Sequence, residues 1–495
     1  MTENVRKEPA SRRDWTAKQR TESLPFMVIW EMTLACNLKC GHCGSRAGKR
    51  RPNELTTEES LRMIEHVAAL GAKEFCIIGG EAHLRRDWLQ IIRHIRANGM
   101  YCGMQTGGYN LRFEKLRQAR EAGLNHIGLS IDGLEELHDR VRGVKGSFEH
   151  AIRTIRYAHE LGLKPVVNTQ VGAGTAADLP GLVDVLIAEK VHAWRCQITA
   201  PMGNAADNEH LLLQPYELKE VLPLIASLYQ KCRAHGMLAD AGNNLGFFGP
   251  SEPILRPDFQ WTGCSAGQNL IAIEADGTVK SCPSLATASF AAGNIREMSL
   301  EDIWRYSDLM HWARVRQVED LWGYCRTCYY NEVCYAGCTW MGHSLFGKAG
   351  NNPWCEYRVN ELSKQGLRER VVRVGEASKD PFGTAEFALI TEPVSGEGPA
   401  TVQRAPRFAT AGPLVQLQIG TTAANGKTLP VVDRSKTPPP GKLVKRVKRC
   451  PACSKSMYMR EENCPECGYQ MPEWRPSRMA APPVAPSEAM SAPAL

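Results

Sequence analysis

Cysteine spacing constrains this chain more than anything else in it. Cys36, Cys40 and Cys43 form a C-x3-C-x2-C run directly after the alternating apolar segment 26–32. Three thiolates on one tight loop can hold three irons of a cubane cluster. A [4Fe–4S] cluster takes four ligands, so one iron is left for another molecule. By itself the triplet also reads as a zinc knuckle or as unpaired buried thiols.

The remaining cysteines narrow that choice. Of 18 in 495 residues, 14 fall into three clustered sets, many of them paired as C-x2-C. Such grouping favours metal over a disulfide framework, and thiolate–iron sites need a reducing compartment, so a cytoplasmic location is expected. Cys76, Cys102, Cys196 and Cys232 are scattered and are expected to pack. The N-terminus MTENVRKEPASRRDW is charged and shows no apolar signal-peptide core. No stretch is long and apolar enough to span a bilayer. A net charge of +7 is too weak a bias to argue a nucleic-acid partner.

From residue 26 to about 240, short apolar runs alternate with amphipathic ones. Strands are predicted at 26–32, 73–78, 101–106, 125–131, 164–171 and 193–199. Helices are predicted near 56–70, 86–98, 111–122, 148–161 and 177–190. Thr56 with Glu59 reads as a capping box. Repeated units of this kind build a parallel sheet with right-handed crossovers. The fold class is therefore α/β, a partial (β/α)6 TIM-type barrel over 25–240 after a mobile segment 1–24. In such barrels the functional groups lie at the carboxyl ends of the strands. Here those ends carry Gly79-Gly80-Glu81, Thr106-Gly107-Gly108, Ser130-Ile131-Asp132-Gly133, Asn168-Thr169-Gln170, and Gln197 with Thr199. Residues 210–236 read as helical packing, with Pro215 at a helix start and Pro223 as a kink.

The cysteine loop in this setting resembles that of the radical S-adenosylmethionine (SAM) enzymes. The residue before the last cysteine, commonly aromatic in that family, is His42 here. The resemblance implies a [4Fe–4S] cluster on Cys36, Cys40 and Cys43 whose open iron chelates SAM. Reduction by an external flavodoxin- or ferredoxin-like donor then gives a 5′-deoxyadenosyl radical that takes a hydrogen atom from the substrate. It also implies that Gly79, Gly80 and Glu81 bind the SAM ammonium group. Ser130 and Arg142, twelve residues apart, would hold the ribose and carboxylate, an arginine suiting a carboxylate through its two-pronged donors. Thr106, Asn168 and Gln197 would line the SAM or substrate cavity. Arg142 also reads as an exposed helix-start residue.

A second array follows: Cys264, Gly277, Cys282, then Cys325, Cys328, Cys334 and Cys338 as C-x2-C-x5-C-x3-C, then Cys355. By spacing alone a zinc domain is the alternative. The array is similar to the SPASM domain, expected here over 241–370. That similarity implies two auxiliary iron–sulfur clusters. Cys325, Cys328, Cys334 and Cys355 would hold the outer one and Cys264, Cys282 and Cys338 the inner one. Residues 265–269 offer no thiol, so the inner cluster is expected to keep an open or non-cysteine position.

After residue 370 the composition turns to Pro, Ala, Gly, Thr and Ser, which reads as a flexible linker over 371–446. A small hairpin around 415–432 is suggested by the turn pair Asn425-Gly426. Cys450, Cys453, Cys464 and Cys467 form two C-x2-C knuckles within 447–470. These resemble a small zinc ribbon with a structural Zn2+, a rubredoxin-type iron being the other reading. Residues 471–495 read as disordered. The function expected is modification of a peptide or protein substrate by hydrogen-atom abstraction. Small-molecule cofactor biosynthesis, a non-catalytic peptide-presenting adaptor, and a nucleic-acid-binding protein using the ribbon are the alternatives. Pro283, where anaerobic sulfatase maturases carry Asp after the second SPASM cysteine, argues against that role.

Overall fold

The computed structural model describes residues 24–257, 261–396, 400–403, 447–449 and 456–458. The chain divides into two units, 1–440 and 441–495. In the first, period-two alternation decides which side chain goes where. Along β1 (Met27–Glu31), Val28 and Trp30 are fully buried under the helices. Met27, Ile29 and Glu31 point the other way and line the bore of the barrel.

The same rule places the inward rows of β2 (Glu74–Ile78), β3 (Tyr101–Thr106), β4 (His126–Ser130), β5 (Lys164–Val171) and β6 (Ala193–Ile198). These six run parallel in sequence order, as their short apolar strands and intervening helices predict. A seventh parallel strand, β7 (Leu238–Ala241), follows β6. On the other edge, β8 (Leu270–Ile273) pairs parallel with β1, Met27 opposite Leu270. Two antiparallel strands, β9 (Thr278–Lys280) and β10 (Gly293–Asn294), extend it. The sheet is thus an open barrel, with the start of the second cysteine array sharing its hydrogen-bond ladder.

The first helix, Thr57–Ala69, opens with the predicted capping box: Glu59 N donates to Thr56 Oγ1 at 3.2 Å, and Thr56 N donates to Glu59 Oε2 at 2.8 Å. The other four helices predicted between the strands occur within about two residues of their expected bounds. The helix expected over 210–236 instead spans Leu218–Ala234, preceded by short 3-10 turns at Glu209–Leu211 and Pro215–Glu217. Between β4 and β5 lies a further helix that the sequence reading lacks, Glu135–Arg142, which Gly143 terminates in the left-handed region. Of the four scattered cysteines, Cys102, Cys196 and Cys232 are buried in the core as expected. Cys76 is not; it faces the bore.

Residues 371–396 correct the expectation of a linker. Here β11 (Leu367–Arg373), β12 (Phe387–Pro393) and β13 (Thr401–Gln403) form an antiparallel sheet, with Val371 opposite Leu389 and Leu389 opposite Gln403. Val371, Phe387, Ala388 and Leu389 are buried, and Arg358 pairs with Glu369 at 2.6 Å in the interior. A short apolar run, Phe387-Ala388-Leu389-Ile390, is enough to make a strand once it has a partner and a face to cover. Averaged composition diluted that signal. The hairpin expected near 415–432, the cysteines Cys450, Cys453, Cys464 and Cys467, and the tail 471–495 lie outside the described residues. Of the second unit, the structure describes one antiparallel pair, β14 (Val447–Arg449) with β15 (Ser456–Tyr458). Among the described residues no helix is long and apolar enough to cross a membrane.

Leu389 is fully buried, so Leu389→Ala is expected to cost about 2–5 kcal/mol and to lower the Tm of the enzyme. An unchanged Tm would restore the linker reading.

Candidate active site

The cysteine loop has almost no regular structure of its own, so its shape comes from what grips it. Its neck is closed by Gly48 N donating to Leu34 O at 2.8 Å and Cys36 N donating to Gly48 O at 3.1 Å. On one side the C-terminal end of helix Glu135–Arg142 accepts two backbone bonds, from Lys39 N at 3.0 Å and Gly41 N at 2.9 Å. On the other side stands the turn after β6. Asn204 N donates to Cys43 O, Asn204 Nδ2 to Cys40 O (both 2.9 Å) and Asn208 Nδ2 to Gly41 O at 3.1 Å. Arg46 reaches the same turn through an ion pair with Asp207 at 2.5 Å. Gly203 lets the turn approach: a Cβ there would lie 2.3 Å from the carbonyl oxygens of Cys43 and Gly44.

Asp132, at the end of β4, ties the loop to the barrel. Its Oδ2 lies 2.7 Å from Arg142 Nε and 3.1 Å from His42 Nε2, and its Oδ1 accepts from Gln170 N at 3.0 Å. Burial alone would raise the Asp132 pKa, but the Arg142 guanidinium and then His42 outweigh it and hold the carboxyl well below its usual range. Arg142 is buried, which rules out the exposed helix-start reading, and its Nη1 donates to Cys40 Sγ at 3.7 Å.

The predicted residues fall into two groups. His42, Gly79, Ser130, Asn168 and Gln197 line one cavity of about 480 Å³ in the bore, together with Gly44 and Ser45 of the cysteine loop. Glu81, Thr106 and Arg142 are buried outside that lining. Glu81 accepts a short hydrogen bond from the Thr106 hydroxyl and one from Gly107 N at 2.6 Å. Gly79 and Gly80 serve a close backbone approach: a Cβ would lie 2.4 Å from Thr33 O and 2.2 Å from Ala35 O, respectively. That approach lets Gly80 N and Glu81 N donate to the same two carbonyls, each at 2.7 Å. Sequence reasoning places Asp132 and Gln170 at the functional strand ends without giving them a role, and it misses Arg46, Asn204, Asp207 and Asn208, which carry no local signal.

The residues present suit the cofactors the sequence predicts. Leu38 N points at Cys36 Sγ (3.4 Å), Ala47 N at Cys43 Sγ (3.3 Å) and Arg142 at Cys40, donors that stabilise sulfur ligands carrying negative charge. Burial pushes the Cys36 thiol up to about 12 and the Cys40 thiol up to about 11, so a thiolate in either place needs a cation beside it. In the cavity wall, His42 Nδ1 and Gln170 Oε1 are buried with no hydrogen-bond partner in the protein, as groups awaiting a ligand are.

In the second array, Cys325, Cys328, Cys334 and Cys355 face one small pocket. Cys325 accepts from Asn352 N and Cys328 from Tyr330 N, each at 3.5 Å. Cys338 keeps different company: burial first, then Cys264 and Cys282 beside it, raise its pKa. The structure therefore sorts these seven thiols into four and three. In the thiol-free stretch, Gln268 Nε2 donates to Cys264 O at 3.0 Å.

Comparison with known proteins agrees with this geometry. Residues 30–178 match the Radical SAM superfamily and residues 264–329 match SPASM, an iron–sulfur cluster-binding domain. The AdoMet-dependent heme synthase of Oleidesulfovibrio alaskensis is 30% identical over 349 residues, covering 67% of this chain and 87% of that protein. The mycofactocin maturase MftC of Mycolicibacterium smegmatis is 27% identical over 325 residues, covering 65% and 79%. Among solved structures, native anSMEcpe with bound AdoMet superposes with a TM-score of 0.56 at 17% identity, covering 68% of this chain and 95% of that one. The chain belongs to the radical SAM superfamily. More particularly, it is a radical SAM enzyme with a SPASM domain, which binds [4Fe–4S] clusters and uses SAM.

Two outcomes follow for the site. Asp132→Asn leaves Arg142 buried without its counter-ion, a loss expected to cost about 3–5 kcal/mol. It is expected to lower both Tm and bound iron, whereas Glu136→Gln, at the exposed Arg140 pair, changes neither. Glu31 gives a pH effect. Burial, opposed by Arg51 and assisted by Glu274, raises its pKa from 4.5 to about 7. The folded state thus holds this proton more tightly than the unfolded one, and stability falls as pH rises from about 4.5 to about 7. Glu31→Gln removes that loss, worth about 3 kcal/mol at most, so its Tm advantage over the parent is expected to grow between pH 6 and pH 8.

Proposed function

We propose that this enzyme abstracts a hydrogen atom from a peptide or protein substrate presented to the bore. On this reading Cys36, Cys40 and Cys43 hold the cluster that binds SAM. Cys325, Cys328, Cys334 and Cys355 hold an outer auxiliary cluster, and Cys264, Cys282 and Cys338 an inner one. When bound and reduced, the first cluster supplies the electron that cleaves SAM to a 5′-deoxyadenosyl radical. The protein's own part is to hold, orient and shield. Gly79 to Glu81 set the edge of the SAM site, His42, Ser130, Asn168 and Gln197 face the ligand, and Thr106 fixes Glu81. Arg142 braces Cys40 and Asp132, and so acts on SAM through the loop and not by direct contact.

The observation that carries the choice of substrate is the charge of the bore. Its cations are already neutralised: Lys280 Nζ lies 2.6 Å from Glu274 Oε1, and Arg195 Nε donates to Asp240 Oδ2 at 3.1 Å. Glu31, Glu74 and Glu274 line the same cavity. A wall of paired cations, carboxylates, amides and hydroxyls repels a substrate bearing several carboxylates and accepts the neutral polar groups of a peptide. A volume of about 480 Å³ lies within the range of small-molecule sites and accommodates SAM. The mycofactocin maturase relative supports this reading.

The heme synthase relative favours a second one, a tetrapyrrole substrate. One experiment separates them. Anaerobically reconstituted, dithionite-reduced enzyme is incubated with SAM and either a short peptide encoded beside its gene or an iron tetrapyrrole carboxylate. Mass spectrometry follows both substrates, with Cys36→Ala as control. A mass change in the peptide that needs Cys36 is expected. Decarboxylation of the tetrapyrrole with an unchanged peptide overturns the proposal in favour of the second reading, and no 5′-deoxyadenosine under any reductant overturns both.

A further inference from the structure

The wall of the bore facing those polar side chains is apolar, and it is built from three separate parts of the chain. Met202 follows β6, Trp340 lies in the helix Thr339–Phe346, and Phe382 lies in the strap joining β11 to β12. Met202, Phe382 and Ala286 are 1%, 8% and 5% exposed and form a cluster detached from the main core, with Trp340 packed on it. Met202, Trp340 and Phe382 all line the 480 Å³ cavity, as do Gly44 and Ser45. A group seated on this wall therefore abuts the cysteine loop.

Each member is held for the purpose. Trp340 Nε1 donates to Met202 Sδ at 3.3 Å, so the polar edge of the indole is occupied and its apolar surface is what remains. Met202 pairs through its backbone with Thr384 of the strap. The strap is pinned over the cysteine loop: Phe382 N donates to Gly44 O at 2.9 Å, Gly203 N to Gly383 O at 2.7 Å and Arg46 Nη2 to Ser378 O at 2.8 Å. Phe382 itself is left-handed, φ +59°, a conformation a bulky residue keeps only where its surroundings impose it. One side of its ring carries Lys280 Nζ, 3.7 Å from the centroid. Met and aromatic side chains together make an adaptable surface for carbon-rich groups.

We propose that Met202, Trp340 and Phe382 form a subsite for an apolar or aromatic side chain of the substrate, which places such a side chain against the radical-generating loop. The proposal rests on the peptide reading above. Charge complements it: Lys280 at the cavity is already paired with Glu274 at 2.6 Å and so offers an acidic side chain little attraction.

The test uses N-acetyl amino-acid amides as probes, titrated calorimetrically into the reconstituted holoenzyme saturated with SAM. Iron content and SAM affinity are measured beside each variant. The phenylalanine and leucine probes are expected to bind at least tenfold more tightly than the glutamate probe. Phe382→Ala and Met202→Gln are each expected to weaken the phenylalanine probe by about tenfold or more, while Phe382→Tyr, which keeps the ring, retains it. Equal binding of the glutamate probe, or unchanged affinity in both variants, overturns the subsite and leaves the peptide reading standing. Binding of an iron tetrapyrrole, seen as a shift of its visible band, with no binding of any amide removes the peptide reading and the subsite together. No binding of any probe overturns the subsite.

Discussion

The ion pair of Asp132 with Arg142, joined by its contact with His42, is the interaction on which the rest depends. A loop meant to expose one face of a metal cluster cannot be made rigid by wrapping it in secondary structure, because the exposed face has to stay open. It is rigid here because a buried carboxylate at the end of β4 holds it directly at His42 and through Arg142 at Cys40, and because helix Glu135–Arg142 and the turn after β6 supply backbone partners on either flank. Burying such a charge is worthwhile only when its partners are fixed. The barrel fixes them: Asp132 follows β4 directly, and Arg142 ends the helix that comes next.

Much of this architecture was legible in the sequence. Period-two alternation in β1, the short apolar runs of β2 to β6 and the capping box of Thr56 and Glu59 are local signals, and local signals survive into the fold. The cysteine spacings are legible for a different reason, since metal chemistry tolerates few arrangements. What was not legible depends on contacts between distant segments. Asn204 and Asn208 look like ordinary turn residues until Gly203 brings their turn against the loop. Residues 371–396 look like a linker because their strand run is short and surrounded by Pro, Gly and Ser, yet β12 finds a partner in β11. Cys76 was assigned to packing, although its place between Phe75 and Ile77, both buried, already put it in the inward-facing row.

The bore shows the same economy with charge. Glu31, Glu274, Lys280 and Asp276 are brought together by the pairing of β1 with β8 and of β8 with β9, and Arg51 reaches them from the loop before the first helix. The segment of the second cysteine array thus contributes Glu274 and Lys280 to the lining of the cavity. Keeping so many ionisable groups inside costs stability, and the raised pKa of Glu31 is the visible sign of it. A cavity in which every cation has a local partner does not select ligands by attracting net charge. Anionic ligands are thereby disfavoured, and shape, hydrogen bonding and apolar contact select among the others.

The placement of Cys338 joins this selection to redox chemistry. It caps the helix Thr339–Phe346, whose N-terminal backbone N–H groups at Trp340 and Met341 offset part of the burial that raises its pKa. Two residues on, Trp340 enters the wall of the cavity. On the neighbouring hairpin, Lys280 at the cavity and Cys282 are likewise two residues apart. Two of the three segments that carry Cys264, Cys282 and Cys338 therefore also present a side chain to the bore. Had the auxiliary array served only to stabilise the fold, nothing would require its thiols and the cavity lining to share the same few residues. That they do is the arrangement an enzyme needs if an electron released by a substrate radical is to leave by a short path.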